Sequence, residues 1–325
     1  MMVSVIIPAY NAAGILGECL ESLRQQQVSG INYEILVVDD GSTDQTRDMV
    51  LTHSGCRLIT QANKGPAAAR NLGANLAQGD ILLFTDADCQ PQPDWLARMI
   101  EPFQNPEIIG VKGAYLCRQP QLVARFVQLE YEEKYQRMRR YPFIDFIDTY
   151  SAAFRRPQFL AERGFDESFP HASVEDQEFS FRMARAGHKM VFVPEAQVFH
   201  RHADTFMKYF RKKWKIGFWK MKILRQLPEK IYHDSHTPQL LKIQIPLLFL
   251  GLAALLLTPF SWLPAQLLLG AFSLTTLPLV SRCLAKDPGV ALIAVGMICG
   301  RALALGGGML HGFIADWALR PSKKQ

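Results

Sequence analysis

The chain lacks several signatures that would assign it a chemistry at once. No Gly-x-Gly-x-x-Gly follows its first strand-like run, where Tyr10-Asn-Ala-Ala-Gly14 stands instead. The fingerprint of a nicotinamide-dependent enzyme is therefore missing. No Gly-x-x-x-x-Gly-Lys-Ser/Thr loop is present either, which excludes a phosphate-loop NTPase. The 6 cysteines (Cys19, Cys56, Cys89, Cys117, Cys283 and Cys299) show no paired spacing. That argues against a disulfide framework or a zinc knuckle and fits a reducing compartment. No charged leader with an apolar core and cleavage site precedes Val3–Pro8, so no signal peptide is expected. There is no internal repeat and no low-complexity stretch.

Acidic residues are scarce in one place. Lys and Arg number 36 against 30 Asp and Glu overall, a mild excess. Between residues 208 and 230, however, Lys208, Arg211, Lys212, Lys213, Lys215, Lys220, Lys222, Arg225 and Lys230 face only Glu229. An apolar run follows directly, which favours anionic lipid headgroups over nucleic acid as the partner of this stretch. The plain alternative is a solvated basic helix. From Leu240 onward Leu, Ala, Ile, Val and Gly dominate. Three apolar stretches, about 243–258, 262–280 and 290–314, are each near the length that ~30 Å of hydrocarbon requires. The expected organisation is a catalytic domain over 1–230 with 208–230 as a basic juxtamembrane segment, a transmembrane region of two to three helices over 240–316, and a basic tail over 317–325.

The basic stretch, together with Arg282 and Lys286, agrees with a cytoplasmic first domain. A third full span would put Arg320, Lys323 and Lys324 outside, against that rule. Arg301 and Gly306-Gly307-Gly308 leave two readings of the third stretch. It spans with Arg301 facing other helices, or it is re-entrant.

In the first half, strands and helices alternate. Val3–Pro8, Glu34–Val38, Arg57–Thr60 and Asp80–Phe84 read as strands. Ile15, Leu16, Cys19, Leu20 and Leu23 share one helical face, and Pro66–Ala77 and Glu175–Gly187 also read as helices. Ser42 or Thr43 can cap the helix after the second strand. The segment 117–156 is less regular, and Val191–Pro194 and Gln197–His200 are strand-like. Alternation predicts parallel strands with right-handed crossovers in an open α/β sheet. Ligands of such sheets bind beyond the carboxyl ends of the strands. Polar residues collect there: Tyr10-Asn11, Asp39-Asp40, and Asp86 with Asp88. One acidic pair is ordinary turn chemistry, but three clusters on one rim predict a site.

The segments Ser4–Asn11, Val37–Asp44, Asn63–Gly73, Phe84–Asp88, Gly164–Glu167, Glu175-Asp176 and Val198–His200 occur in an order that resembles family 2 glycosyltransferases of the GT-A type. The resemblance runs from Val3 to about Gly217. It implies a GT-A-like, mostly parallel open sheet flanked by helices, followed here by a helical transmembrane region. It also implies roles for single residues. Pro8, Tyr10 and Asp40, with Asp39 beside them, would line the nucleotide; Arg70 would shape that site; Asp86 would contact the ribose or lie near the metal. Asp88, with His200 and less strongly His202, would hold Mg2+ or Mn2+. Asp176 would be the catalytic base, with Glu175 its neighbour.

The implied reaction is inverting transfer from a UDP- or GDP-sugar to a lipid-linked or membrane-proximal glycan acceptor, in cell-envelope or exopolysaccharide synthesis at a bacterial inner membrane. The chemistry agrees. A diphosphate leaves once a divalent cation neutralises it, and an attacking hydroxyl needs a carboxylate to take its proton. Asp176, at a helix start, is expected to be kept ionised by the helix dipole unless burial outweighs it. Several residues keep plainer readings: Asp39, Ser42 and Asp44 as turn or cap residues, Glu175-Asp176 as a helix-terminal charge pair, and His200 as a satisfied histidine. Phe165 and Phe169 read as packing residues. Processive polysaccharide synthases carry Gln-x-x-Arg-Trp near the membrane; Phe210-Arg-Lys-Lys-Trp214 lacks the Gln, which favours single addition. A processive synthase and a non-catalytic scaffold remain the alternatives.

Overall fold

The computed structural model of this chain describes residues 1–169, 173–231 and 234–318. In chain order it forms β1 (Met2–Ala9), α1 (Leu16–Arg24), β2 (Asn32–Asp39), α2 (Thr46–Thr52), β3 (Cys56–Thr60), α3 (Pro66–Leu76), β4 (Ile81–Phe84), β5 (Cys89–Pro91), α4 (Trp95–Ile100) and β6 (Ile108–Leu116). Then come α5 (Leu122–Met138), β7 (Ala152–Arg155), α6 (Arg156–Ala161), α7 (Glu175–Arg185), β8 (Lys189–His200), α8 (Phe206–Gln226), α9 (Gln239–Ala254), α10 (Leu263–Lys286) and α11 (Pro288–Ala318). Two compact units result. Unit 1 holds residues 1–118 and 138–201; unit 2 holds 119–137 and 202–325. The division differs from the composition boundary near residue 230. The basic stretch and α5 both fold with the apolar helices.

Unit 1 is an eight-stranded sheet in the order β3-β2-β1-β4-β7-β6-β8-β5. β1 pairs in parallel with β2 and β4, and β2 with β3, so the first half has the βα connectivity that the alternation predicts. The second half is mixed: β7 runs antiparallel to both β4 and β6, and β5 antiparallel to β8. Val5, Ile6 and Ile7 of β1 and Leu82–Phe84 of β4 are fully buried, as a strand covered on both faces must be. Phe84, Phe154, Phe159, Phe165 and Phe179 form an aromatic core with neighbouring ring centroids 5.0–6.3 Å apart. Phe165 is thus a packing residue, as expected. Gly41 turns the chain after β2 with φ +77°, and a Cβ there would meet the Asn63 backbone nitrogen at 2.9 Å.

Three local expectations are corrected. Segment 117–156 is not irregular throughout, since Leu122–Met138 is a 17-residue helix. Its alternation of apolar and charged residues gives a weak helical period, which hid it. The two strand-like pieces near residue 195 are one strand, β8, that continues through Pro194. Neither Ser42 nor Thr43 caps α2, which starts at Thr46; the Asp44 carboxylate accepts its backbone N–H at 3.0 Å.

Unit 2 consists of helices. Phe126, Leu129, Tyr209, Leu248, Phe272, Leu279, Val290, Ala294, Met297 and Ile298 form its core. Residues 239–257, 263–286 and 288–315 are helices long and apolar enough to cross a membrane. Many of their apolar side chains are exposed, among them Leu250, Leu267, Leu274 and Leu292. In the α9–α10 turn Phe260 is 90% exposed, which water alone would penalise. α11 is one continuous helix through Gly306-Gly307-Gly308, which is not a re-entrant geometry. These glycines let other helices come close: a Cβ on Gly308 would lie 2.2 Å from the Trp214 carbonyl oxygen of α8, and one on Gly306 2.4 Å from the Phe249 ring of α9. Arg301 faces other helices. It is 2% exposed and donates to Glu130 Oε1 of α5 at 3.2 Å and to Gln244 Oε1 of α9 at 2.9 Å. Lys213 Nζ and the Tyr209 hydroxyl also donate to Glu130, at 2.8 and 3.2 Å. Burial alone would raise the Glu130 carboxyl, but Lys213, Lys134 and Arg301 hold it well below the usual carboxylate range. The basic tail, with Arg320, Lys323 and Lys324, lies outside the described residues.

Candidate active site

The carboxyl ends of β1, β2 and β4 bring polar side chains to one rim of unit 1. After β1 comes Pro8-Ala9-Tyr10, with Tyr10 52% exposed. Asn11 takes φ 48° and ties this loop to the next, its N–H donating to Ser42 Oγ at 2.9 Å and its Oδ1 accepting the Thr43 N–H at 2.9 Å. Asp39 is fully buried and accepts from Ser42 N at 3.2 Å and Arg47 Nε at 2.6 Å. Asp40 accepts from Gln61 Nε2 at 2.6 Å, Lys64 N at 2.8 Å and Gly65 N at 2.9 Å. Both carboxylates therefore shape the loops that frame the rim. Asp40 organises the turn that starts α3, whose first residue, Pro66, needs no hydrogen-bond partner for its nitrogen.

Arg70 of α3 is the pivot. It is 3% exposed and donates to Asp86 Oδ1 at 2.7 Å and to Glu175 Oε1 at 3.0 Å. One guanidinium thus links the end of β4 to the first turn of α7, residues 105 apart in sequence from Arg70 to Glu175. Asp176 follows directly. Its carboxyl is pushed well above the usual range by burial, by Glu175 and by Asp148; Arg70 and the Gln177 N–H act against this and lose. Of the two opposing influences expected on Asp176, the helix dipole and burial, burial prevails. Desolvation beside two other carboxylates outweighs the dipole.

On the other side of β4, Asp88 and His200 meet across the β5–β8 pairing, which sets Cys89 opposite His200. His200 Nε2 lies 3.4 Å from Asp88 Oδ2. Ligand atoms of Asp88, Cys89 and His200 all fall within 4.8 Å of one another. Oxygen and imidazole donors at this spacing suit a hard or borderline divalent cation. Without a cation, burial, then Asp88 and Asp86, push the Cys89 thiol well above its ordinary range. His202 belongs to unit 2, where its Nε2 is 3.0 Å from Gln128 Oε1, and it takes no part in this cluster.

Sequence reasoning missed a second polar network. Lys112 of β6 is fully buried, contacts the Asp148 carboxylate and donates to the Tyr150 hydroxyl at 2.8 Å. Tyr150 stacks on Tyr115 with centroids 3.2 Å apart, and Tyr115 lies 4.4 Å from the His200 ring. A polar chain therefore runs from Asp148, which acts on Asp176, to the His200–Asp88 pair. The signal was a lysine in the middle of the apolar run Ile108–Leu116, an expensive choice without a paired carboxylate.

Residues 4–162 match the family model described as glycosyl transferase family 2. Glycosyltransferase AglE of Haloferax volcanii is 38% identical over 116 residues, covering 34% of this chain and 38% of that protein. Validoxylamine A glucosyltransferase of Streptomyces hygroscopicus subsp. jinggangensis is 29% identical over 228 residues, covering 60% of this chain and 54% of that protein. The chain thus spans about half or less of these two curated relatives. A mannosyltransferase from Pyrobaculum calidifontis, solved in complex with GDP-Man and Mn2+, aligns over 98% of this chain and 88% of its own, with a TM-score of 0.57 and 19% identity. At that identity the likeness concerns the fold.

Proposed function

Since this chain carries a family 2 glycosyl transferase domain over residues 4–162, we propose that it moves a sugar, with inversion, from a UDP- or GDP-sugar to a lipid-linked or membrane-proximal acceptor. The observation that carries this reading is the Arg70 clamp. By holding Asp86 and Glu175 together it ties the first turn of α7, where Asp176 stands, to the segment after β4 that carries Asp88.

The roles follow from chemistry. Asp88 and His200 would hold a divalent cation, which would supply charge neutralisation to a departing diphosphate. The GDP-Man and Mn2+ bound by the Pyrobaculum mannosyltransferase support such a donor and such a cation. Tyr10 offers an exposed ring for a base, beside Pro8. Asp39 and Asp40 act by setting the loops around it, and Arg70 orients Asp86. Asp176 accepts the proton of the acceptor hydroxyl as that oxygen attacks. A raised pKa makes its ionised form a better proton acceptor. A single base with in-line attack gives inversion.

The apolar helices of unit 2 support membrane association, and the basic stretch 208–230 supports a cytoplasmic catalytic domain in a multi-pass inner-membrane protein. Without Gln-x-x-Arg-Trp, single addition is favoured over chain growth.

Calorimetry of the full chain with a panel of nucleoside diphosphates, with and without Mn2+, tests the donor side. Mn2+-dependent binding of one nucleotide is expected. Binding of none by folded protein would leave a non-catalytic scaffold. The anomeric configuration of the first product, read by NMR, tests inversion; retention sinks the single-base mechanism.

A further inference from the structure

Sugar transfer as read above gives no task to the buried ion pair of unit 1. Lys112 of β6 is fully buried, contacts the Asp148 carboxylate and donates to the Tyr150 hydroxyl at 2.8 Å. Its Nζ lies 4.6 Å from the centroid of the Tyr150 ring and 5.7 Å from that of Phe146. An apolar pair of the same volume would hold β6 about as well, so the ion pair is more telling as a device that fixes geometry.

What Lys112 holds is the segment Ile147–Ser151, and three of its residues are tied to other parts of unit 1. The Ile147 N–H donates to Ser180 Oγ of α7 at 3.0 Å, and that hydroxyl donates to the Asp176 carbonyl oxygen at 2.7 Å. The Tyr150 carbonyl oxygen accepts from the Thr85 hydroxyl at 2.9 Å, directly before Asp86. Ser151 Oγ accepts from Trp95 Nε1 of α4 at 2.8 Å. The segment thus bridges the first turn of α7 and the end of β4. Arg70 bridges the same two places by a separate route, through Glu175 and Asp86.

Asp148 follows Ile147 directly, so the bond to Ser180 brings its carboxylate toward Asp176. The charged groups that act on Asp176 are Glu175 of its own turn, Asp148 of this segment and Arg70 of α3. Lys112 is the cation that answers Asp148.

We propose that Lys112 is a positioning residue for sugar transfer. Bound to Asp148 and to the Tyr150 hydroxyl, it fixes the segment that braces Asp176 and its helix turn against the end of β4. The inference rests on the reading of Asp176 as the base. Lys112 itself acts only through Asp148 and Tyr150.

The full chain in detergent is assayed with donor and acceptor across pH, and thermal melts establish that each variant is folded. Lys112→Met should lower kcat about tenfold with little change in the donor KM, because the base is displaced while the nucleotide still binds. It also leaves Asp148 uncompensated, so the rising limb of kcat should move to higher pH. Asp148→Asn keeps the shape and removes the charge, and should move the limb to lower pH. Lys112→Gln combined with Asp148→Asn restores a neutral hydrogen-bonded pair, and should return kcat and limb toward wild type. A purely structural pair would change the melting temperature and leave the limb in place. Wild-type kcat and limb in folded Lys112→Met overturns the proposal. Should Lys112→Met not fold, an unmoved limb in Asp148→Asn overturns it instead. Full turnover in Asp176→Asn fails the base reading and takes this proposal with it. An inactive Asp176→Asn beside a normal Lys112→Met overturns the positioning role alone.

Discussion

Unit 1 collects carboxylates around one cation, and unit 2 collects cations around few carboxylates. In unit 1 the guanidinium of Arg70 answers Asp86, Glu175 and Asp176, and Asp88 stands two residues beyond Asp86. In unit 2 Glu130 answers Lys213, Arg301 and Lys134. The settings differ as well as the signs. The Asp86 and Asp88 side chains keep 29% and 32% of their surface open, whereas Glu130 and Arg301 keep 1% and 3%. An open imbalance can be completed by a soluble cation that comes and goes. A closed one holds helices together, because any break leaves a charge stranded.

This contrast can be attacked one residue at a time. Asp176→Asn should have the largest effect, lowering kcat at least about 10²-fold while nucleotide binding persists. Full turnover in steady-state assays would remove Asp176 from its role. Glu130→Gln should come next. It strands Lys213 and Arg301, and a cost of about 3–5 kcal/mol is expected in denaturant unfolding of the detergent-solubilised chain. Arg70→Met is the mirror experiment, deleting the minority charge of unit 1. Its cost should be smaller than that of Glu130→Gln, because of its two carboxylate partners only Glu175 is closed from water while Asp86 is reached by it; equal losses would erase the distinction between an open and a closed cluster. His200→Ala should weaken Mn2+ binding by at least about tenfold, read by calorimetry, with little loss of stability.

The smallest expected effect is on pH dependence. Folded Asp176 holds its proton to higher pH than the unfolded chain does. Stability should therefore fall as pH climbs from the ordinary aspartate range through the raised value, and Asp176→Asn should flatten that slope in thermal melts. Over the same window wild-type kcat should rise, since the base must be ionised to work.

Much of unit 1 was legible because its signals are local. Val3–Pro8 and Asp80–Phe84 announce buried strands by composition, and the polar clusters after them mark the rim. Glu175-Asp176 was visible as a helix start. What was not legible depends on residues far apart. Nothing near Arg70 in the sequence names Glu175 as its partner. Nothing near Lys112 names Asp148, though its position inside an apolar strand was a warning. The resemblance cast Asp39 and Asp40 as nucleotide-lining, while their engagement by Arg47, Gln61 and three backbone amides could be seen only in three dimensions. For unit 2 the apolar helices were plain. That α5 and the basic stretch fold with them was hidden, because their charges mask the faces that pack.

The placement of α5 has a consequence for the order in which the molecule is made. Glu130 leaves the ribosome 171 residues before Arg301. At about 5–20 residues per second that is a delay of roughly ten to thirty seconds. Tyr209 and Lys213 of α8 follow Glu130 after 79 and 83 residues, so through the second half of that interval the cluster lacks only its α11 member. The Glu130 cluster is thus assembled in two instalments, first from α8 and then from α11.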